Sequence, residues 1–221
     1  MVMKQVYGVD RMARFLKYET HQYLEGRGKE KYGEPALIEV EYEPYVFYHR
    51  ASIAFYALQD AIGEASVNRV LRDYLRQVAY QSPPYATAGE LVDRLRDATP
   101  AGYPNLIEDL FETITLYDNR IVDGSCKAVP GKGYDVTLRL ELQKLKADAQ
   151  GEETPVDLAD TVDVALYNSG DRLLMSSRID AAQSPLDAHL MVSERPAKAV
   201  LDPWYKLVER HREDNDYALC K

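Results

Sequence analysis

The residues able to do chemistry are few and scattered. Four histidines occur, His21, His49, His189 and His211, and none stands four residues from another, the spacing that brings two imidazoles to one zinc ion on a helix. No HExxH motif is present. His21 and Glu25 lie one helical turn apart, but such a pair is ordinarily a solvated surface contact rather than half of a metal site. Cys126 and Cys220 are far apart and neither belongs to a CxxC pair, so their spacing indicates neither a disulfide scaffold nor a cysteine zinc site and fits a reducing compartment best. There is no nucleophile elbow, and Gly131-Lys132-Gly133 precedes a strand as a hairpin turn does, where a phosphate loop would join a strand to a helix. Seventeen tyrosines against one tryptophan and four phenylalanines make a skewed aromatic set, in which a few hydroxyls can line a cleft while most rings pack. Residue by residue, the chain holds no complete active site.

Positioning any of these side chains requires a folded frame, and the composition provides for one. With 221 residues, 46% of them hydrophobic and 29% charged, the chain is long enough for one large domain or two small ones. Twenty-seven Lys and Arg stand against 36 Asp and Glu, and a net charge of −9 opposes the phosphate neutralisation on which nucleic-acid binding depends. No apolar run reaches the length of a bilayer span, and residues 1–10 lack the basic and then apolar blocks of a signal peptide, so this segment is expected to be soluble with no direct membrane insertion.

The first half repeats the helical period. Met12, Phe15, Leu16 and Tyr23 share one helix face, broken by Gly26, Gly28 and Gly33. An extended stretch through Val40 and Tyr42 leads to Pro44, which opens a second helix with Tyr48, Ala51, Phe55, Leu58 and Ile62 on one face and Gly63 as its stop. Val67, Val70, Leu71, Tyr74, Leu75 and Val78 mark a third helix. Thr87 caps a fourth carrying Leu91, Val92 and Leu95, and a fifth starts near Pro104 with Leu106, Ile107, Leu110, Phe111 and Ile114. Past Tyr117 the period becomes two. Tyr134, Val136, Leu138, Leu140 and Leu142 alternate with polar neighbours, and 162–167, 172–178, 189–193 and 197–201 are further strands. The expectation is an α+β chain of two domains: helical over 1–116, a small antiparallel β-sandwich over 117–203, and a polar tail over 204–221.

The segment Tyr45-Val46-Phe47-Tyr48-His49-Arg50-Ala51-Ser52 resembles the Y-x-K-G segment of zinc aminopeptidases related to aminopeptidase N and leukotriene hydrolase. Residues 1–8 resemble the tail of the helix that carries the last zinc-binding glutamate in that family. Tyr18-Glu19, Tyr23-Leu24 and Gly26-Arg27-Gly28 are similar to a bacterial branch whose peptidase is fused behind an ABC-type transporter permease, as are Ala57-Leu58-Gln59-Asp60 and Ile62-Gly63-Glu64. So are residues 111–120, Asp202-Pro203, Glu209-Arg210 and Asp214-Asn215, and the likeness spans essentially the whole chain.

What the resemblance implies is specific. Residues 1–116 would be the late helical part of a thermolysin-like catalytic domain, and the sandwich would follow it. The two histidines of HExxH, the glutamate inside that motif and the third zinc ligand would all lie in an upstream catalytic portion of the same polypeptide. Zinc would therefore be the parent's cofactor, with none in this chain, and a peptide would be the parent's substrate. Tyr48 would be the catalytic contribution, a phenol donating to the oxyanion that forms when water attacks the peptide carbonyl. Arg50 stands where the family has lysine and Ala51 where it has glycine, changes in charge geometry and by one methyl. The parent would lie on the cytoplasmic side or be membrane-associated. Two other readings stand beside it: Tyr48 as a core ring on the face of Ala51, Phe55, Leu58 and Ile62, and the chain as a non-catalytic binding or scaffold module, which the resemblance would associate with a membrane transporter.

Overall fold

The computed structural model describes residues 2–220. It is an α+β structure whose chain divides into two compact units. One holds the chain up to Thr115 together with Lys146–Glu153, and the other holds Leu116–Leu145 and the chain from Thr154 onward.

In the helical unit, α1 (Val2–Tyr7) and α2 (Val9–Arg27) are separated by Gly8, whose φ of 83° suits glycine. A π-helical turn (Tyr45–Arg50) runs directly into α3 (Ala51–Ile62), and Gly63, at φ 90°, breaks the helix before α4 (Glu64–Val78). Thr87 caps α5 (Ala88–Asp97) by accepting from the Glu90 amide at 3.4 Å, the Thr-x-x-Glu pattern that satisfies an orphan helical N–H. The apolar faces of these elements meet in a core of Leu37, Val46, Ala54, Leu58, Val67, Val92, Leu95, Ile107 and Phe111. The fifth helix is shorter than its apolar spacing predicts. A second π-helical turn (Glu108–Glu112) ends at Thr113, which is extended, and Ile114 already begins a strand. The stretch through Val40 and Tyr42 follows a single 3-10 turn (Leu37–Glu39) and is irregular.

The second unit is built from eight strands, the ends of some lying within the first: β1 (Ile114–Val129), β2 (Gly133–Ala147), β3 (Glu153–Val156), β4 (Asp160–Tyr167), β5 (Leu173–Ala181), β6 (Leu186–Val192), β7 (Lys198–Leu201) and β8 (Asp216–Ala218). One sheet runs β1-β2-β3 with β6 also on β2, and the other runs β5-β4-β7-β8. Antiparallel pairing sets Val136 against Leu190, Leu138 against Ala188 and Leu140 against Leu186. These side chains share one core with Val162, Val164 and Leu166 of β4 and Ala199 and Leu201 of β7, so two sheets enclose a single apolar layer.

Three further features, all in the second unit, differ from the sequence expectation. β1 was not legible as a strand, because its inward series is interrupted by the buried Asn119. Residues 204–221 are not a separate polar tail: β8 pairs with β7, Leu219 lies in the core, and Glu209 and Asn215 are buried. Cys126 of β1 and Cys220, two residues beyond β8, form a disulfide with Cα atoms 5.3 Å apart, which overturns the inference from their spacing. Their separation of 94 residues is no obstacle, since the chain after β7 runs back along β1, where the Tyr117 amide donates to the Val208 carbonyl at 2.9 Å and the Ile121 amide to the Asp214 carbonyl at 3.1 Å. Tyr217 donates to Asp123 at 3.2 Å, and its ring lies where a side chain on Gly124 would otherwise stand.

Candidate functional site at the Tyr48 turn

A π-helical turn contains one more residue per hydrogen-bonded ring than an α-helix, so it shifts the phase of every side chain before it relative to those after it. Here the Ala51 amide reaches back to the Val46 carbonyl. Val46 is fully buried in the core and Arg50 is 3% exposed, whereas Tyr48 between them is 65% exposed. The uniform α-helical face expected from Tyr48 through Ile62 is therefore broken at the turn, and Tyr48 is not a core ring. Its ring stands 4.5 Å from that of Phe47, its carbonyl accepts from the Ser52 hydroxyl at 2.8 Å, and its own hydroxyl has no hydrogen-bond partner among the described residues.

The two residues that follow Tyr48 fasten the turn on different sides. His49 Nδ1 lies 2.8 Å from Oε2 of Glu19, a buried carboxylate of α2, and the Tyr18 ring meets the imidazole edge-on at 6.3 Å. Arg50 points inward. Its Nη1 donates to the Thr115 carbonyl at 3.3 Å, and Nη2 donates to the carbonyls of Asp109 and Thr113, each at 3.2 Å. The planar guanidinium fits this role because its fork of donors can reach several carbonyls at once, in the second π-helical turn and at the start of β1. It also lies 5.4 Å from the centre of the Tyr23 ring.

Beneath Arg50 the polar interior continues. The Tyr23 hydroxyl and the Arg27 guanidinium both donate to Glu34, while Arg27 also lies 3.6 Å from Glu153. Burial pushes the Tyr23 phenol up to about 12, with Arg50 pulling down and Glu34 pushing up. Tyr45, stacked on Tyr23 at 6.1 Å, donates to Glu30 at 3.0 Å, and burial followed by that hydrogen bond raises its phenol as well. Both rings remain neutral donors near neutral pH. Gly26 makes this packing possible, since a Cβ there would fall 2.3 Å from that of Tyr45. Glu19, Tyr23 and Glu34 were not singled out as a network in the sequence. The available signal was Glu19 itself, an acidic residue on the stripe of Met12, Leu16 and Tyr23.

No group of three or more His, Cys, Asp or Glu able to hold a metal ion occurs among the described residues. His21 lies 4.0 Å from Glu25 on the surface, and Glu25 is also paired with Lys29. No helix among the described residues is long and apolar enough to cross a membrane.

The second unit has its own polar interior, centred on Glu209, which is 1% exposed. The Asn119 amide and Asn215 Nδ2 donate to it, the latter at 2.7 Å, and Arg212 lies 3.7 Å away while donating to Asp202 at 2.9 Å. Burial pushes the Glu209 carboxyl up to about 8, against the pull of the Asn119 and Asn215 hydrogen bonds and of Arg212. Between its ordinary value of 4.5 and about 8, the folded chain keeps a proton that the unfolded chain has lost. Stability from this group is therefore fully present below the unfolded pKa and is withdrawn as pH rises through that window. Glu209→Gln, which keeps the neutral shape, should flatten the fall in melting temperature between pH 5 and pH 8. Parallel curves for mutant and wild type would show that Glu209 does not titrate in that range.

The sequence matches no protein-family model and no curated protein. The chain is an α+β protein with a helical unit, a two-sheet unit and an exposed, anchored tyrosine turn.

Proposed function

We propose that this chain is the C-terminal part of a zinc aminopeptidase of the aminopeptidase N type, in which the helical unit completes a thermolysin-like catalytic domain. The observation that carries the reading is Tyr48, whose exposed phenol has no described partner while the neighbouring Arg50 and His49 fasten the turn that bears it. The Tyr23 and Tyr45 phenols are engaged by carboxylates, whereas that of Tyr48 is held outward on a turn fastened by its two neighbours, where it is available to a ligand. A phenol donates one hydrogen bond and can stabilise negative charge developing on a carbonyl oxygen. The described residues form no zinc site, so the metal and the base would come from an upstream portion of the polypeptide. What this chain supplies is the oxyanion donor.

The direct test compares this chain with a longer polypeptide that includes the segment encoded upstream. Aminoacyl anilides should be hydrolysed by the longer protein, with loss of activity in a chelator, and not by the 221-residue chain, which should retain no stoichiometric zinc after dialysis. One tightly held zinc in the chain alone would end this reading, and so would an upstream segment that encodes no HExxH, an outcome that favours a scaffold role beside a transporter.

A further inference from the structure

We propose that the second unit is a substrate for thiol–disulfide exchange and that this part of the protein works in an oxidising, extracytoplasmic compartment. The inference is independent of the peptidase reading and rests on where Cys126 and Cys220 stand. No cysteine is left free, and the two Cα atoms, 94 residues apart in sequence, are 5.3 Å apart in space. That separation is within the ordinary range for a bridged pair. Persistent structural disulfides belong to secreted, periplasmic or otherwise oxidising settings, because cytosolic thiol systems keep such pairs reduced.

The location of the bond gives it work to do. β8 is an edge strand of only three residues, held on β7 through Lys198, Ala199 and Val200. Beyond it the Leu219 side chain enters the core, and its amide donates to the Ala197 carbonyl at 2.8 Å. A three-residue strand paired on one side only is weakly held by its ladder and opens readily without a further tie. The bond to β1 is that tie, and the loop it closes takes in most of the second unit. In the balanced reaction the Cys126 and Cys220 thiols lose two protons and two electrons and form one S–S bond. The oxidant is the disulfide of a dithiol–disulfide exchange protein, which leaves as a dithiol after a mixed-disulfide step.

The test uses the full chain produced in a bacterium with and without a cleavable export signal, each trapped with a maleimide under denaturing conditions before any reduction. The exported chain should show no trapped thiol and two after reductant, and the cytosolic chain should show two throughout. Reductant should lower the melting temperature of the oxidised protein by on the order of 10–20 °C. It should leave a Cys126→Ser/Cys220→Ser variant unchanged. Free thiols in the exported chain overturn the proposal, a readout that does not depend on any variant folding. So does a melting temperature indifferent to reductant, and neither result touches the peptidase reading, which is measured by hydrolysis.

Discussion

In the longer peptidase proposed above, Tyr48→Phe should lower kcat and kcat/KM together by about a hundredfold or more, the scale of a lost oxyanion donor, with little change in substrate affinity. The substitution keeps the ring and removes the one group able to donate. Because the hydroxyl has no described partner in the folded chain and the ring is largely exposed, its removal breaks no internal hydrogen bond, and the melting temperature should stay within about a degree or two. A tyrosine that merely packs would reverse this pattern, with turnover nearly intact and stability reduced. Steady-state kinetics and thermal unfolding on the same two proteins separate the outcomes. An unchanged kcat would remove Tyr48 from the chemistry.

Arg50→Met should strongly destabilise the helical unit. The methionine fills much of the volume but leaves the carbonyls of Asp109, Thr113 and Thr115 without their cationic donor, and it removes the positive charge over Tyr23. Hydrogen bonds to a charged group are worth about 1.5–3 kcal/mol each, and three bonds from one guanidinium do not add fully, so a loss of about 3–5 kcal/mol is expected in urea unfolding. Arg50→Lys should lose less, because an ammonium retains the charge and can still reach one or two of the carbonyls. A loss below about 1 kcal/mol for the methionine variant would show that water replaces the guanidinium at little cost, and the anchoring role of Arg50 would fall.

Much of the fold was readable from period alone, and the two misses in the second unit, β1 and the segment after β7, share a cause. Val136, Leu138 and Leu140 alternate cleanly because β2 has one face on the core, and Val67 with its neighbours repeats at helical spacing because α4 has one apolar stripe. Pattern reading treats a polar residue as a solvent residue. Asn119, Glu209 and Asn215 are buried polar groups that satisfy much of one another's demand, so β1 is missing from the strands expected and the segment after residue 203 reads as a polar tail. The Tyr48 turn was masked differently, because its composition permits an ordinary helix and only the backbone reveals the extra residue that turns the phenol outward. Arg50 was noticed as a departure from the family's lysine, yet its carbonyl partners lie 59 to 65 residues away, a relation that no local spacing encodes.

The segment Lys146–Glu153 belongs to the helical unit although the chain on both sides of it belongs to the other. Ala149 there accepts from the Glu34 amide at 2.8 Å, and Glu153 pairs with Arg27. The helical unit is thus assembled from two separated stretches of gene. During synthesis, when residue 115 has just been added, the Glu34 amide and Arg27 have yet to meet Ala149 and Glu153, which come later in the chain, so the helical unit is completed only after β2 has been translated. Chain order and folding order part company here, and a gene cut at residue 116 would encode every helix of that unit without encoding the whole unit.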